Sequence, residues 1–201
     1  MGKLYILGCG GHARSIADTY FFSNPGDQLT FVDSNAKEGE RILGSVLMTA
    51  LPKDLGGSTL FIAFGDNGRR RLAFQSNEDK NIVSIISSKS YVSSSAVIGR
   101  GCFVGNFCHI GPEAIVGENT IINTGAVIEH GVRIGKHTHI APNVAISGNT
   151  TVGDNVFIGV GTTVIDKISI CDNVILGAGS VIIHDIIEPG TYVGCPARKI
   201  K

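Results

Sequence analysis

The sequence predicts two regions of different architecture. Residues 1–85 are predicted to form an α/β domain that corresponds to half of a Rossmann-like fold. Residues 86–201 are predicted to form an all-β parallel β-helix, or solenoid. From Ile86 to Ile182 every sixth residue is aliphatic, and a period of six fits neither an α-helix nor simple strand alternation. It is typical of stacked parallel strands around a narrow core. Before residue 86, apolar segments instead alternate with helical ones, as in a small parallel sheet.

In the first region, the order of elements follows from short apolar runs and the segments between them. Strands are predicted within KLYILG, LTFVDSN, the start of STLFIAFGDNGRRRLAFQ, and KNIVSIIS. Helices are predicted in GGHARSIADTYFF and at the end of the STLFIAFGDNGRRRLAFQ segment. Serines replace larger residues in SSKSYVSSSA, which marks the boundary with the solenoid.

A glycine loop joins the first predicted strand to the first predicted helix. Gly8, Gly10 and Ala13 form a G-x-G-x-x-A pattern, which lets backbone N–H groups approach a phosphate at a helix N-terminus. Asp33 ends the next strand, where it can accept a hydrogen bond from a ribose or a base. Only about 85 residues precede the solenoid, so the loop suits one nucleotide diphosphate better than NAD, which spans two such halves.

A second turn, after the third strand, reaches the same edge of the sheet. It contains Gly65, Asp66 and Asn67, which would complete a pocket with the glycine loop. The alternative is that both turns are only tight strand-to-helix connections. His12 would meet a diphosphate or a sugar hydroxyl, or cap its helix. The arginines at 69–71 indicate a solvated helix face, with the alternative that one of them reaches a phosphate.

In the solenoid, the repeat separates inward from outward positions. The aliphatic residue and the residue four positions later point inward, which assigns Cys102 and Cys108 to packing. His130 lies two positions after the inward Ile128 and therefore points outward, where a histidine can accept a proton near neutral pH. His139 lies half a coil from it. Position alone does not distinguish a catalytic histidine from an ordinary surface one.

Composition excludes several classes of partner. Seventeen basic residues balance seventeen acidic ones without a dense basic block, which argues against binding to nucleic acid or to an anionic membrane. The apolar run at the N-terminus is too short for a signal peptide or a membrane span, so we expect a cytoplasmic protein. Five cysteines without a C-x-x-C pair predict neither a disulfide framework nor a zinc ribbon.

Three segments together carry a resemblance to a known family. They are the GCGGH-opened α/β region, the segment NTGAVIEHGVRIGKHTHIAPNVAISG and the ending VGCPARKI. The chain resembles, over nearly its whole length, the bacterial nucleotide-sugar N-acetyltransferases of the bacillosamine and perosamine pathways, whose family includes sialic-acid O-acetyltransferases. The resemblance implies a left-handed β-helix with three hexapeptides per coil, acetyl-CoA as co-substrate, no metal, and a homotrimer with active sites at subunit interfaces.

The resemblance also assigns roles to residues. His130 matches the general base of the family, and His139 a second pocket histidine that contacts the substrate or the acetyl group. Many members carry a glutamate directly after the base, where this chain has Gly131, so Glu129 and Glu113 are the candidates for a carboxylate that orients His130. The residues matching the nucleotide-sugar site are Gly10, Gly11, His12, Asp33, Gly65, Asp66 and Asn67. Those matching the acetyl-CoA groove are Gly148, Gly159, Val160 and Ala178, with Pro196 and Arg198 from the tail.

The expected reaction is acetyl transfer from acetyl-CoA to the amino group of a nucleotide-linked 4-amino-4,6-dideoxy sugar. Two alternatives keep the same binding sites: a sialic-acid or other sugar O-acetyltransferase, and a non-catalytic protein that senses nucleotide sugars. A metal-dependent hydratase of the γ-carbonic-anhydrase kind is disfavoured, because the H-x4-H spacing of its metal ligands is missing. Neither the nucleotide, among UDP, GDP and dTDP, nor the sugar is specified by the sequence.

Overall fold

The computed structural model describes residues 3–37 and 39–201 of the chain. Its contacts divide the chain into two compact units, residues 1–85 and residues 86–201. The first unit is built on a mixed α/β sheet and the second on stacked parallel strands. The fold class that the sequence predicts is therefore confirmed.

In the first unit, two helices and a sheet follow the predicted alternation. The elements are β1 (Lys3–Leu7), α1 (Gly11–Ser23), β2 (Gln28–Val32), β3 (Arg41–Ile42), β4 (Ser45–Met48), β5 (Thr59–Ile62) and α2 (Asn67–Gln75). The strand order is β3-β4-β2-β1-β5, with β1 parallel to both β2 and β5. Helix α1 buries Ala13, Ile16 and Ala17, a spacing of three and four that gives it one apolar face. It ends before Pro25, which disfavours helical backbone in the preceding residue.

The structure adds a hairpin that the sequence analysis does not predict. Strands β3 and β4 pair antiparallel, and β4 continues the sheet by pairing parallel with β2. Leu43 and Gly44 form the connecting turn, with φ values of 50° and 76°. A two-residue turn with both φ values positive matches the twist of a hairpin, but Asn-Gly is its usual signal. Leucine in that conformation is uncommon, so the sequence carries no signal that predicts this hairpin.

The predicted last strand of the first region, KNIVSIIS, is not one continuous strand. Ile82 makes a single parallel bridge with Leu60 beside β5. The chain then forms the two-residue strand β6 (Ile85–Ile86) at the start of the solenoid. The prediction of one uninterrupted strand was wrong, because residues 83–84 between these two contacts are not in strand conformation.

In the second unit, short strands recur every six residues and stack every eighteen. Ile110 pairs with Ile128 and Ile128 with Ile146, so one coil is 18 residues. The strands are β7 (Tyr91–Val92), β8 (Val97–Ile98), β9 (Phe103–Val104), β10 (His109–Ile110), β11 (Ile115–Val116), β12 (Ile121–Ile122), β13 (Val127–Ile128), β14 (Arg133–Ile134), β15 (His139–Ile140), β16 (Ala145–Ile146), β17 (Thr151–Val152), β18 (Phe157–Ile158), β19 (Thr163–Val164), β20 (Ser169–Ile170), β21 (Val174–Leu176) and β22 (Val181–Ile182).

These strands form three sheets, which we call faces 1, 2 and 3. Face 1 has the order β22-β19-β16-β13-β10-β7, and face 2 the order β20-β17-β14-β11-β8. Face 3 contains β21-β18-β15-β12-β9-β6 and is extended by a tail hairpin of β23 (Gly190–Gly194) and β24 (Ala197–Lys199). Strand β23 pairs parallel with β21, and β24 pairs antiparallel with β23.

The core of the solenoid is made by the inward positions that the repeat predicts. The aliphatic residues Ile128, Ile146 and Ile158 are fully buried, as are the small residues four positions later in most coils. Cys102 and Cys108 are buried with them, which confirms their packing role. The inward threonines keep their hydroxyls satisfied by donating to carbonyls of the next coil; the bond from Thr138 to Gly153 O, for example, is 3.0 Å long.

At each corner of the coil, two turn residues separate one face from the next. The second turn residue has a positive φ, as at Asn143, Asn149 and Gly131, because the chain turns there through the left-handed region that suits asparagine and glycine. Its N–H donates to the first turn residue of the preceding coil, as in the 2.9 Å bond from Asn149 N to His130 O. The backbone hydrogen bonds between coils use the carbonyl of the first turn residue and not its N–H, so proline is tolerated there, as at Pro142.

No helix within residues 3–37 and 39–201 has the length and apolar character needed to cross a bilayer.

Candidate active site

The glycine loop follows β1 and opens α1, where a phosphate-binding loop would lie. Gly8 has a φ of 110°, and a Cβ there would lie 3.2 Å from Cε1 of Phe64, so glycine suits both the backbone and the packing. Gly10 is the N-cap of α1 and offers no side-chain cap. Ala13 is fully buried, which allows the helix to pack closely on the sheet.

The loops after β1, β2 and β5 enclose a cleft of about 510 Å³. Of the predicted nucleotide-sugar residues, it is lined by Gly10, Gly11, His12, Asp33, Gly65 and Asp66. Sequence reasoning missed four other lining residues, Cys9, Asn35, Ala63 and Phe64. Arg69 also lines the cleft and is one of the three arginines that the sequence left as alternatives for a phosphate contact. Asn67 is not among the lining residues, and its side-chain oxygen accepts a 2.8 Å bond from Arg70. His12 is half-buried.

Asp33 is held as a carboxylate at the floor of this cleft. Its Oδ1 accepts the backbone N–H of Asn35 at 3.0 Å, and its Oδ2 accepts the thiol of Cys9 at 3.2 Å. The hydrogen bond from the Asn35 backbone lowers the pKa of Asp33, aided by the Cys9 thiol and the positive charge of Arg69. Burial raises the pKa of Cys9, and the hydrogen bond to Asp33 raises it further. The pair therefore consists of a neutral thiol and an ionised carboxylate.

The second turn is fixed by the start of α2. Asp66 is the N-cap, and its Oδ1 accepts the backbone N–H of Arg69 at 2.7 Å. Arg70 is buried and donates to the carbonyls of Phe64 and Gly65 at 3.1 and 3.3 Å. The prediction that the three arginines form a solvated face is therefore wrong for Arg70, which folds back to hold the turn that ends β5.

In the solenoid, His130 occupies a corner between faces 1 and 2. It is the first turn residue after β13 and is exposed, while Ile128 two positions earlier is fully buried. This is the outward placement that the repeat predicts. Glu129 is half-buried beside it, and its backbone N–H donates to Ile146 O at 3.0 Å.

Gly148 lies directly against the ring of His130, at the same corner one coil later. A Cβ at Gly148 would lie 2.5 Å from both Cε1 and Nε2 of His130. Any side chain there would displace the ring, so the glycine leaves the space in which the imidazole lies. Within the residues that the structure describes, the backbone N–H of Gly148 donates to no acceptor of the protein. Other first turn residues, such as Lys136, donate their N–H to an aspartate side chain of the next coil.

The turn geometry favours glycine at position 131, directly after His130. Its φ is 66°, and a Cβ at this position would collide with Oδ1 of Asn149 in the next coil. A side chain at position 131 would therefore require Asn149 to move. Gly125 and Asn143 repeat the same arrangement at another corner, so the pairing of glycine with asparagine belongs to the corner geometry.

His139 lies on a different sheet from the strands that flank His130. It is in β15 of face 3, half-buried, with its ring edge-on to Phe157 at 5.2 Å between centroids. Its Nε2 lies 3.5 Å from Nδ2 of Asn123. Because His130 is at the corner between faces 1 and 2, the two histidines are half a coil apart within one chain.

The predicted acetyl-CoA residues gather mainly at the corner between faces 3 and 1. Val160 and Ala178 are first turn residues of consecutive coils, and a Cβ at Gly159 would lie 2.6 Å from Ala178 N. The tail hairpin stacks next in this row, and Pro196 lies in its turn and Arg198 in β24. Gly148 is at the other end of face 1, so that face joins the two groups.

Among the described residues, no group of three or more His, Cys, Asp or Glu is placed to hold a metal ion.

Two protein-family models match the chain. The PglD N-terminal domain matches residues 3–77. The bacterial transferase hexapeptide of six repeats matches residues 95–130, 113–148 and 149–184. Together they cover both units and include the glycine loop and the corner that carries His130.

Solved structures match the chain along its whole length. A histidine-to-alanine mutant of GDP-perosamine N-acetyltransferase from Caulobacter crescentus, in complex with CoA and GDP-perosamine, has a TM-score of 0.90 and 31% identity, covering 100% of this chain and 98% of that one. The acetyltransferase domain of PglB from Neisseria gonorrhoeae FA1090 has a TM-score of 0.93 and 26% identity, with full coverage of both chains. A complex of that domain with acetyl coenzyme A also matches, with a TM-score of 0.90. A search of curated protein sequences finds no match to this chain.

Proposed function

Because this chain belongs to the PglD-type hexapeptide-repeat acetyltransferases and is an acetyl-CoA-dependent sugar N-acetyltransferase, we propose that its acceptor is the amino group of a nucleotide-linked 4-amino-4,6-dideoxy sugar. The observation that carries the proposal is the pairing of His130 with Gly148 at an exposed corner. The perosamine enzyme binds a sugar nucleotide and CoA together, which supports the same pair of substrates here.

In the proposed reaction, His130 is the general base. The sugar amine must be uncharged to attack the acetyl carbonyl carbon, and His130 accepts its proton as the carbon–nitrogen bond forms. The carbon–sulfur bond then breaks, and the thiolate of CoA leaves and takes up a proton. Direct transfer needs no covalent enzyme intermediate, because binding both substrates in one cleft already supplies proximity.

The backbone N–H of Gly148 is the proposed oxyanion donor. It lies beside the His130 ring, and the coil ladder does not use it. A fixed backbone donor close to the base can stabilise negative charge on the carbonyl oxygen while the amine attacks. Gly148 would thus contribute to the reaction in two ways. Its N–H would donate to the oxyanion, and its lack of a side chain leaves space for the His130 ring.

The cleft in the α/β unit is the proposed site for the nucleotide sugar. Gly10 and Gly11 present backbone N–H groups at the start of α1, where the helix dipole favours a phosphate. Asp33 is ionised and positioned to accept from the ribose or base, and His12, Gly65 and Asp66 complete the lining. Asn67 supports this site through Arg70 rather than by facing the cleft.

The proposed acetyl-CoA groove runs along face 1, between its two corners. Gly159, Val160 and Ala178 offer backbone at one corner, with Pro196 and Arg198 nearby in the tail, and Gly148 lies at the other corner. Between them, face 1 presents Ala145 and Thr163, whose short side chains leave room for an extended chain. A pantetheine arm lying there would bring the thioester to His130.

The proposed assembly is a homotrimer with each active site between two subunits. Within one chain, His130 lies at the corner between faces 1 and 2 and His139 on face 3, so we infer that a pocket containing both is built from two copies. Flat solenoid faces can pack around a three-fold axis and enclose clefts of this kind.

The test measures free-thiol release from acetyl-CoA with UDP-, GDP- and dTDP-linked 4-amino sugars and with free sialic acid. We expect turnover on one amino sugar, reduced at least about 100-fold in His130→Ala. His109→Ala is the matched control, since it removes a half-buried solenoid histidine from the coil below. Turnover on sialic acid alone would indicate an O-acetyltransferase, and full turnover by His130→Ala would reject the assigned base. Binding of a nucleotide sugar without turnover would indicate a sensor.

A further inference from the structure

The nucleotide cleft contains one fixed positive charge, that of Arg69. Among the residues lining the cleft, Asp33 and Asp66 are acidic, and Arg69 is the single lysine or arginine. We propose that the Arg69 guanidinium binds a phosphate oxygen of the substrate's diphosphate and so determines that the cleft takes a nucleoside diphosphate rather than a nucleoside. This inference rests on the proposed function, because it assumes that the cleft holds the nucleotide.

The position of Arg69 is held from two sides. Its backbone N–H is capped by Asp66 at 2.7 Å, which fixes the first turn of α2. Its Cζ lies 4.9 Å from the centroid of the Phe64 ring, a cation–π contact that holds the guanidinium over the ring. An arginine held in this way loses less conformational freedom on binding than a freely rotating one.

The Phe64 ring places the guanidinium next to the glycine loop. The ring reaches Gly8, where an added Cβ would lie 3.2 Å from Cε1 of Phe64. The Arg69 guanidinium therefore packs on the Phe64 ring, which contacts the glycine loop expected to hold the phosphates. The N–H groups of Gly10 and Gly11 and the guanidinium can bind one diphosphate from neighbouring directions.

Electrostatic repulsion would oppose diphosphate binding in this cleft if no cation were present. A diphosphate brings negative charge close to the Asp33 carboxylate, and two like charges at short range repel. The start of α1 supplies only a partial positive charge, roughly half an elementary charge. Arg69 already interacts favourably with Asp33, because its charge helps to lower the pKa of that carboxyl. A phosphate oxygen would become a second anionic partner of the same guanidinium.

The two following arginines differ from Arg69 in placement and provide the comparison. Arg70 is buried and holds the turn after β5 through the Phe64 and Gly65 carbonyls. Arg71 is exposed and does not line the cleft. Three consecutive arginines on one helix therefore have three different surroundings, and only the first faces the cleft.

The test is isothermal titration of the full chain with GDP, UDP and dTDP and with the matching nucleosides. For the diphosphate that binds the wild type, Arg69→Gln should raise Kd by about 10-fold to 100-fold, because a charge-assisted hydrogen bond to phosphate is lost. The same substitution should leave the Kd of the nucleoside unchanged. Arg71→Gln should leave both values unchanged, and thermal unfolding should show that both variants remain folded.

Three results would overturn the inference. They are an unchanged diphosphate Kd in Arg69→Gln, an equal weakening of diphosphate and nucleoside, which would indicate stacking on the base, and a wild type that binds none of the three diphosphates. Acetyl transfer is measured separately. A protein that binds a diphosphate through Arg69 but transfers no acetyl group would refute the proposed function and leave this inference standing.

Discussion

At the scale of single residues, the proposed chemistry depends most on the contact between His130 and Gly148. The ring lies where a side chain at position 148 would otherwise be, so packing orients the imidazole of His130. The backbone carbonyl of His130 accepts the N–H of Asn149 at 2.9 Å. Gly131 follows His130, and Oδ1 of Asn149 lies where a Cβ at position 131 would be.

The first prediction concerns Gly148→Ala. The added methyl group would overlap the His130 ring and move it, and a displacement of about 1 Å at a catalytic group costs about 100-fold in rate. We expect kcat to fall by that order, while KM for the nucleotide sugar changes little because the substrate cleft is untouched. Steady-state kinetics with the preferred substrate measures both values.

Asp166→Ala is the control, since Asp166 occupies the same corner position one coil after Gly148 and is exposed. It should retain wild-type kcat. A Gly148→Ala enzyme with wild-type kcat would show that the ring position is irrelevant to the rate.

Some residues of the candidate site could be predicted from the sequence, and others could not. Gly10 and Asp33 could be found because each follows a predicted strand at a recognisable spacing. Phe64 could not, because its place in the cleft depends on how the loop after β5 folds against Gly8. The sequence offered the arginines at 69–71 for a phosphate contact but could not single out Arg69 for the same reason. Arg70 was misjudged because a run of three arginines is normally solvated, and its burial is seen only when the turn carbonyls are in place.

At the scale of elements, a side-chain hydrogen bond joins the end of α1 to the loop before β2. The hydroxyl of Tyr20 donates to Oδ2 of Asp27 at 2.6 Å. Asn24 follows the helix, and its backbone N–H donates to the Tyr20 carbonyl at 2.9 Å. These bonds close the connection from the first helix to the second strand of the α/β unit.

The second prediction is a pH dependence that Tyr20 confers on stability. Burial, followed by the hydrogen bond to Asp27, raises the pKa of Tyr20 to about 12, above its ordinary value of 10. A raised pKa means that the stabilisation is complete below pH 10 and is lost as the pH rises through about 12. At pH 8, Tyr20→Phe should lower the free energy of unfolding by about 1 kcal/mol, the value of a typical hydrogen bond.

Urea unfolding of both proteins at pH 8 and at pH 11 measures this effect. The difference in unfolding free energy should be largest at pH 8 and smaller at pH 11, where the unfolded tyrosine ionises more readily than the folded one. Equal differences at the two pH values would show that Tyr20 does not hold its proton through Asp27.

The elements also show what a repeat reveals and what it hides. The period of six identifies every short strand from β7 to β22, because each has an aliphatic residue pointing into a shared core. The hairpin of β3 and β4 has no such period, and its turn uses Leu43 where asparagine is usual. Short paired strands without a repeat or a turn signal are not predictable from a single sequence.

At the scale of the whole molecule, the third prediction tests the proposed trimer by mixing inactive subunits. If each site uses His130 of one copy and His139 of another, His130→Ala and His139→Ala are each inactive alone. In mixed trimers formed by co-expression, some interfaces combine the intact histidine of each, and for random mixing of equal amounts about one quarter of all sites are complete. We therefore expect about a quarter of wild-type activity from the mixture.

Free-thiol release and light scattering on a sizing column supply the two readouts. Separately expressed proteins that are mixed without exchange of subunits should stay inactive. A mixture that regains no activity although mixed trimers form would place both histidines outside a shared site. A wild type that is monomeric at assay concentration would reject the trimer itself.

The solenoid also sets distances along its axis. Neighbouring strands of a sheet lie about 4.8 Å apart, so each 18-residue coil advances the chain by about that amount. The number of coils between His130 and the tail hairpin therefore sets the distance that a cofactor touching both must span. Inserting one whole coil between them would increase that distance by about 4.8 Å, whereas a shorter insertion would form a bulge at a corner and leave the distance unchanged. Selection on cofactor length would thus favour changes of whole repeats over changes of single residues.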